Sequence, residues 1–286
     1  MIRVLQKNLE KKDKLINYFE FQSKKYIAIN KDNFDLTDKT PVIFRGMAKS
    51  DLIKQCIDNN IDFYYIDTGY FNTQRKIWHR FTKNNFQVLN HIPFEELKQK
   101  ISISKLKNKF SEIFNQNYDY FKPKAKRVGS TILITPPTNK VFKHFNYDAQ
   151  KWVNETIEKI KKISDRKILV RFKPKSRYTR VYEDIFLNQL IGDDVHCLVT
   201  FNSITSLEAI LNGYPAITLG PNAASYLTEN KINNIENPYY PDSDKIREHI
   251  LYLTTCQFKK EEFLDNSAIE TVNALQHDQK YLDFKL

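Results

Sequence analysis

Apolar and polar positions along the chain follow two alternating rhythms that predict its strands and helices. In the first part, short apolar runs of the strand type fall at 2–5, 26–29, 41–44 and 63–66. Helical patterns lie between them, at 12–21 and 50–59. In the second of these, Leu52, Ile53 and Cys56 share one helix face. Strands that alternate with helices predict a parallel sheet covered by helices.

The same rhythm restarts after a charged segment at 121–130, FKPKAKRVGS, which holds a Pro and a Gly. Strands are predicted at 131–135, 167–172, 197–201 and 216–219. Helices are predicted at 148–163, 181–190, 205–212, 244–254 and 261–275. We therefore predict two α/β domains, 1–127 and 128–286, with the last helix able to pack back on the first. The cleft between two such domains is the expected ligand site.

The composition narrows the class of protein. The 286 residues contain no run that approaches the roughly 18 apolar residues of a membrane span. The N-terminal sequence becomes charged too early for a secretory signal, so we expect a cytoplasmic protein. Cys56, Cys197 and Cys256 lie far apart with no CxxC. Buried thiols are therefore expected, and neither a disulfide framework nor a zinc site.

The positive charge is unevenly distributed along the sequence. The formal net charge is +11; residues 1–127 hold 25 Lys and Arg against 14 Asp and Glu, and 128–286 hold 20 of each. A basic run between 98 and 127 consists of Lys98, Lys100, Lys105, Lys107, Lys109, Lys122, Lys124, Lys126 and Arg127. Such asymmetry favours a polyanionic partner for the first domain. A solvated basic surface is the alternative.

The most informative stretch is 199–220, VTFNSITSLEAILNGYPAITLG. It predicts a strand, a Ser/Thr-rich turn, a short helix and a second strand. Thr205 and Glu208 fit a capping box, so Thr205 is expected to cap the helix. Gly213 suits a left-handed C-cap, and Pro215 prevents the helix from continuing.

Three turns at the carboxyl ends of predicted strands carry candidate binding groups. Donors ahead of the short helix are supplied by Asn202, Ser203, Thr205 and Ser206. A basic turn, RFKPKSR, occupies 171–177, and a Pro-rich turn, TPPT, occupies 135–138. A solvent-facing turn with no ligand is the alternative for 171–177. Because ligands of open α/β sheets bind at this edge, and helix N-termini attract anions, we predict a phosphate site here.

Together these turns resemble the donor-binding half of GT-B glycosyltransferases, in particular the capsule-polysaccharide type of bacterial Kdo transferases. The first half, with Arg45-Gly46, YYIDTGYF at 64–71 and WHR at 78–80, is similar to phage-encoded glycosyltransferase-like proteins. Some of those modify hydroxymethylated pyrimidines in DNA. The resemblance covers 130–240 well and 40–85 more loosely. It implies an α/β, GT-B-like fold with two Rossmann-like domains and a cleft, and a nucleotide-sugar donor, UDP-linked.

The resemblance also implies residue roles on the donor side. The predicted set is Pro137, Thr138, Arg171, Lys173, Lys175, Asn202, Ser203, Thr205, Ser206 and Glu208. The Ser and Thr groups would hold the diphosphate, and the basic residues would offset its charge. Glu208 would reach the ribose or remain a cap partner. One departure, Lys175-Ser176 where the capsule-type pattern has His-Pro, counts against a Kdo donor.

An inverting transfer needs a base near the acceptor hydroxyl. Asp67 is the first candidate, because it follows the apolar run FYYI and precedes Gly69 at a predicted strand end. Capping the turn is its alternative role. His79 is the second candidate, with packing as the alternative. Asp193-Asp194 is interpreted as a surface turn, so no metal and no cofactor beyond the donor are expected, since helix N-termini and basic groups can replace the ion.

The acceptor is assigned to the first domain, with Arg45, Tyr70, Trp78 and Arg80 as its predicted contacts. The charge, together with aromatics that could stack on an extruded base, favours a 5-hydroxymethylpyrimidine in DNA. Packing in the core is the alternative for these rings. Two other functions remain open. One is a capsule or lipopolysaccharide glycosyltransferase with a polyanionic glycan acceptor, and the other is an inactive transferase fold that binds nucleic acid.

Overall fold

The computed structural model describes residues 2–5, 26–29, 31–73, 77–172 and 194–276. The helices predicted at 12–21 and 181–190 lie outside the described residues. The chain forms two compact units. The first consists of Met1–Val88, Phe94–Asn117 and Tyr252–Leu282, and the second of Leu89–Pro93, Tyr118–Leu251 and Asp283–Leu286.

The described residues form ten strands and nine α-helices. The strands are β1 (Ile2–Leu5), β2 (Tyr26–Ile29), β3 (Val42–Arg45), β4 (Phe63–Thr68), β5 (His79–Lys83), β6 (Thr131–Thr135), β7 (Ile168–Val170), β8 (Val195–Thr200), β9 (Ala216–Thr218) and β10 (Gln257–Phe258). The helices are α1 (Ser50–Asp58), α2 (Phe94–Lys100), α3 (Ile103–Phe114), α4 (Asn139–His144), α5 (Ala149–Lys161), α6 (Thr205–Leu211), α7 (Ser243–Thr255), α8 (Lys260–Leu264) and α9 (Ser267–Gln276). Single 3₁₀ turns occur at Gly46–Lys49, Tyr118–Tyr120, Ser225–Leu227 and Ile232–Asn234. None of these helices is long and apolar enough to cross a membrane, within the part of the chain described.

The first unit is built on a six-stranded sheet in the order β10-β5-β4-β3-β1-β2. Strands β4, β3, β1 and β2 are parallel, whereas β5 runs antiparallel to β4, and β10 antiparallel to β5. Ile43 and Tyr64 pack in one core with Phe263 and Val272 from the last two helices. Helices α8 and α9 therefore cover a face of this sheet.

The second unit is built on a four-stranded parallel sheet in the order β7-β6-β8-β9. Its central strand β6 is buried along its whole length, as the continuous apolar run Ile132, Leu133, Ile134 favours in a parallel sheet. Trp152 of α5 and Phe201 complete its core.

Both units share one strand order, in which the second strand lies outside the first and the third and fourth lie on its other side. Loops from the first and third strands therefore diverge to opposite faces, which creates a topological switch point where ligands bind in such sheets. In the second unit this point lies between β6 and β8. In the first unit it lies between β1 and β3.

Several elements differ from those predicted. The antiparallel strands β5 and β10 were not predicted, and the basic run at 98–109 forms α2 and α3. In α3, Leu106, Phe110 and Ile113 are buried at helical spacing, a signal present in the sequence. The predicted helix at 261–275 is instead two helices, separated at Asn266, whose φ of 66° is left-handed.

The predicted end of the short helix is confirmed at Gly213. Its φ of 90° is left-handed, as a glycine C-cap requires. A Cβ at this position would lie 2.4 Å from the Ala125 carbonyl oxygen, and the Arg127 N–H donates to the Gly213 carbonyl at 2.7 Å. The charged segment at 121–130 therefore packs along the second unit, and the chain changes unit earlier, between Asn117 and Tyr118.

The cysteines behave as the sequence predicts. Cys56, Cys197 and Cys256 are all buried and free. Burial raises the pKa of Cys56 to about 12 and that of Cys256 to about 11. These thiols are therefore inert core groups.

Candidate active site

Two of the turns predicted to bind the donor meet at the switch point of the second unit. The hydroxyls of Thr135 and Thr205 are hydrogen-bonded at 2.9 Å, and the Thr200 hydroxyl donates to the Thr135 carbonyl at 2.5 Å. These bonds join the end of β6 to the turn that follows β8. The Pro-rich turn and the Ser/Thr-rich turn, which are 60 to 70 positions apart in sequence, are therefore neighbours.

The basic turn begins on the other side of β6. The Arg171 N–H donates to the Ile134 carbonyl at 2.9 Å, so Arg171 directly follows β7. Since β7 and β8 flank β6, the strand that precedes Arg171 and the strand that precedes the Ser/Thr turn are about 10 Å apart. Pro137 is half-buried, and the exposed Thr138 is the N-cap of α4. Lys173 and Lys175 lie outside the described residues, and their donor role stays a prediction.

The Ser/Thr turn satisfies part of its own backbone. The Ser203 hydroxyl accepts from the Thr205 N–H, and the Ser203 carbonyl accepts from the Ser206 N–H, each at 3.3 Å. Ile204, an apolar residue that cannot cap with its side chain, is the N-cap of α6. The predicted capping role of Thr205 is therefore wrong, because its hydroxyl pairs with Thr135 instead. Fewer backbone donors are available to an anion than the sequence suggested.

Two members of the predicted donor set lie inside the protein. Ser206 is fully buried, and its hydroxyl lies 2.9 Å from the Ser203 carbonyl and 3.0 Å from Asn222 Oδ1. Asn202 is also buried. Both side chains can support the turn from within, and Ser206 has no exposed surface for a ligand to contact. Glu208 is half-buried in the first turn of α6, and its ribose contact stays a prediction.

A residue that the sequence reasoning missed, Asn222, lies behind this turn. Its side chain is fully buried and reaches both Ser203 and Ser206. The signal was the segment Gly220-Pro221-Asn222 directly after β9, at the same edge of the sheet as the other three turns. A polar amide after a strand end was overlooked because the interpretation stopped at Gly220.

Arg45, Asp67 and His79 gather at one edge of the first unit's sheet. Arg45 ends β3, Asp67 lies near the end of β4, and His79 begins the antiparallel β5. The strand register pairs Asp67 with Arg80, and Thr68 with His79. The unpredicted strand β5 is what brings the two candidate bases together.

Asp67 is held by three donors. Its Oδ2 accepts from the Tyr65 hydroxyl at 2.8 Å and from Arg80 Nη2 at 3.1 Å, and its Oδ1 accepts from the Thr68 N–H at 2.8 Å. The side chain is 37% exposed. A carboxylate bound in this way is a counter-ion and an anchor for the strand end.

The Arg80 guanidinium is buried and hydrogen-bonded within the first unit. Besides Asp67, its guanidinium donates to the Phe86 carbonyl at 3.1 Å and to the Thr68 carbonyl at 2.9 Å. Burial opposes its charge, but Asp67, Tyr65 and other neighbours outweigh burial and raise the pKa of Arg80. The predicted acceptor contact has no support here, because the guanidinium is buried and each of its three nitrogens already donates to a protein acceptor.

His79 has the properties of a proton acceptor. It is half-buried, and burial, followed by the nearby charge of Arg45, lowers its pKa, although Asp67 acts in the opposite direction. Since an unperturbed imidazole titrates near pH 6.5, His79 is neutral at pH 7. A neutral imidazole can take a proton from a hydroxyl.

The aromatic residues of the first half lie in the core. The six rings considered for base stacking, all buried, are Tyr64, Tyr65, Tyr70, Phe71, Trp78 and Phe81. Tyr64 stacks on Phe81 with ring centroids 5.2 Å apart, and Tyr70 and Trp78 are each 1% exposed. Burial supports the core interpretation of these rings and gives an extruded base no exposed ring among them.

The basic run is largely paired, and its members are divided between the units. In the first unit, Lys109 pairs with Glu262 at 2.8 Å, Lys100 pairs with Glu96 at 3.1 Å, and Lys98 pairs with Glu95. In the second unit, Lys124 donates to Asn212 Oδ1 and Lys126 to the Pro238 carbonyl, each at 2.8 Å. The run is therefore not one continuous cationic face of the first unit.

The two units carry similar net charges when the charged residues are counted unit by unit. The first unit has 24 Lys and Arg against 18 Asp and Glu, a net charge of +6. The second has 21 against 16, a net charge of +5. The asymmetry between 1–127 and 128–286 disappears because 118–127, with a net charge of +3, belongs to the second unit, and 252–282, with a net charge of −2, belongs to the first. Charge therefore gives no reason to assign a polyanion to either unit alone.

No group of three or more His, Cys, Asp or Glu within the described ranges could hold a metal ion. Asp194 is exposed and accepts from the Ser130 hydroxyl at 2.7 Å and the Thr131 hydroxyl at 2.9 Å, which helps to lower its pKa. It lies at the amino end of β8, away from the switch point. Metal independence stays a prediction.

Solved structures that resemble the chain include two transferases. One is Thermosulfurimonas dismutans KpsC, beta Kdo 2,7 transferase, with 13% identity and a TM-score of 0.51, covering 95% of this chain and 98% of that one. The other is T. dismutans KpsC, beta Kdo 2,4 transferase, with 10% identity and a TM-score of 0.45, covering 88% and 89%. The second likeness is too weak to support an argument. The first confirms the predicted fold class, an α/β fold of the GT-B type with Rossmann-like units. No protein-family model and no curated protein sequence matches the chain.

Proposed function

We propose that this chain is a glycosyltransferase that moves a sugar from a nucleotide-diphosphate sugar, UDP-linked, to an acceptor hydroxyl. The observation that carries the proposal is the meeting of Thr135, Ser203 and Thr205 at the switch point of a parallel sheet, where such folds bind nucleotides. The likeness to a structure named as a Kdo transferase supports it, although one fold hosts many activities.

On the donor side, the hydroxyls of Ser203 and Thr205 bind the diphosphate, and Pro137 and Thr138 line the nucleotide. Arg171 at the neighbouring strand end offsets the phosphate charge as a fork of donors. A cation is needed there because the leaving diphosphate gains negative charge as its bond to the sugar breaks.

For an inverting transfer, we assign the proton acceptor to His79. The acceptor oxygen forms a bond to the anomeric carbon, the bond from that carbon to the diphosphate oxygen breaks, and the acceptor proton moves to His79 Nδ1 or Nε2. Asp67, which the sequence favoured as base, is assigned to holding Arg80 and the end of β4.

We propose a glycan of capsule or lipopolysaccharide type as the acceptor. A structure of similar fold is named as a Kdo transferase, which favours a glycan. DNA is less favoured because the two units carry similar net charges and the six aromatic rings are buried. A 5-hydroxymethylpyrimidine in DNA is the alternative acceptor, and an inactive fold that binds nucleic acid is the alternative to catalysis.

One assay distinguishes these functions. Purified protein is incubated with UDP-glucose, UDP-N-acetylglucosamine, GDP-mannose or CMP-Kdo, and with capsule oligosaccharides, hydroxymethylated DNA or plain DNA. Transfer is followed by mass gain of the acceptor and by nucleotide release. Mass gain on a glycan supports the proposal, whereas gain on hydroxymethylated nucleosides shifts the acceptor to DNA. Absence of turnover and of nucleotide binding, together with DNA affinity, would refute the transferase assignment.

A further inference from the structure

The loop after β9 is tied to the Ser/Thr turn by one buried side chain. Asn222 is fully buried. Its Nδ2 donates to the Ser203 carbonyl at 3.1 Å, and its Oδ1 lies 3.0 Å from the Ser206 hydroxyl. A buried amide that bridges two loops fixes their separation, because breaking either bond leaves a polar group unsatisfied away from water.

The loop that carries Asn222 is itself anchored on both sides. Asn222 Oδ1 also accepts from the Ala224 N–H at 2.9 Å, so the side chain folds back on its own backbone. Upstream, a Cβ on Gly220 would lie 2.3 Å from the Phe201 ring, which shows how closely the loop packs on the residue that opens the turn. The amide is therefore presented in one orientation.

A histidine holds the loop from the far side. His249 Nε2 lies 2.6 Å from the Ala223 carbonyl and, because a carbonyl only accepts, carries the proton. Its Nδ1 then accepts from His91 Nδ1, which lies 3.1 Å away. Burial lowers the pKa of His249 to about 3, so the ring is neutral at physiological pH and its Nδ1 remains an acceptor for His91.

We propose that Asn222 is a positioning residue for the donor diphosphate, acting through the Ser203–Ser206 turn and touching no donor atom itself. This inference rests on the proposed function. Asn222 fixes where the Ser203 hydroxyl stands relative to Thr205, and the loop after β9 thereby becomes a third component of the donor site. A misplacement of about 1 Å in such a group can lower activity by up to about 100-fold.

The test compares Asn222→Ala with a matched control, Thr131→Val. Thr131 is buried in the same unit and donates one hydrogen bond, to Asp194, at the opposite end of the sheet. The probes are UDP and UDP-glucose, titrated by calorimetry, and backbone hydrogen exchange of residues 203–207 without ligand. Asn222→Ala should weaken binding at least about tenfold and accelerate exchange in the turn. Thr131→Val should change neither.

Ser206→Ala provides a second variant if Asn222→Ala fails to fold. It removes one partner of Asn222 and leaves the bond to Ser203, so a smaller loss of binding with faster exchange is expected. Unchanged binding and exchange in the Asn222 variant, against a wild type that binds, would overturn the inference and leave the transferase proposal standing. A wild type that binds neither probe would instead refute that proposal, and with it a donor role for Asn222. The exchange rates would still reveal whether Asn222 holds the turn.

Discussion

Substitution of the two candidate bases, Asp67 by Asn and His79 by Gln, should have different effects on stability and turnover. In Asp67→Asn, an uncharged amide replaces the carboxylate. The amide cannot neutralise Arg80, which is buried and keeps its charge. His79→Gln removes the proton acceptor and, among the residues that the structure describes, breaks no ion pair. We therefore expect the first variant to lose mainly stability and the second to lose mainly turnover.

The geometry sets the expected magnitudes. Asp67 is linked to Arg80 by a charge-assisted bond of 3.1 Å, and such bonds contribute about 1.5–3 kcal/mol. Asp67 is 37% exposed, so the loss should stay below the about 3–5 kcal/mol of a fully buried pair. We expect about 2 kcal/mol, or a fall in Tm of about 4–8 °C. For His79→Gln we expect kcat to fall about 10²–10⁴-fold with stability changed by about 1 kcal/mol or less.

The assay combines thermal unfolding with steady-state nucleotide release, on both variants and on wild type. Turnover of Asp67→Asn must be measured well below its Tm, so that unfolding is not mistaken for lost catalysis. If Asp67→Asn kept its stability and lost turnover at least 100-fold, while His79→Gln stayed active, Asp67 would be the base and the assignment to His79 would be refuted.

The double variant Ser203→Ala, Thr205→Ala should raise the donor KM about tenfold or more, and an unchanged KM would remove these hydroxyls from the site. Burial lowers the pKa of His249, so below about pH 6.5 the unfolded state binds a proton that the folded state does not bind. The contribution of His249 to the free energy of unfolding is therefore full above about pH 6.5 and is lost as the pH falls towards 3. By pH 5 the stability difference between wild type and His249→Gln should narrow by about 2 kcal/mol, measured by urea unfolding; a constant difference would contradict this. Reversing Lys105 and Lys122, both exposed, should leave the salt dependence of any DNA binding unchanged if the acceptor is a glycan. A slope reduced by about two units would indicate a nucleic-acid interface.

The sequence predicts the parallel cores of both units because their strands carry unbroken apolar runs. Ile132 to Ile134 is such a run, and it forms the central strand of the second sheet. Strand β5 was missed because HRFTK mixes charged and apolar residues, and only its pairing with β4 makes it a strand. A two-residue strand such as β10 has no periodicity to detect. Strands of this kind are specified by tertiary contacts, which a local pattern cannot contain.

The candidate site, too, could be predicted only in part from the sequence. The Pro-rich and Ser/Thr-rich turns could be placed at one edge, since carboxyl ends of parallel strands meet there. Which hydroxyls face outward could not be predicted, because Ser206 and Thr205 are adjacent and their roles depend on Asn222 and Thr135, which are distant in sequence. Likewise, the sequence could not show that Arg80 is hydrogen-bonded inside the protein. Its acceptors, such as the Phe86 carbonyl, are backbone atoms, and no residue pattern identifies them.

The most direct test of the account is a crystal structure of the protein with bound UDP. We predict that the diphosphate lies within hydrogen-bond distance of the Ser203 or Thr205 hydroxyl, with the nucleotide beside Pro137. UDP bound elsewhere on the second unit, or bound nowhere at millimolar concentration, would contradict the donor site and the function built on it.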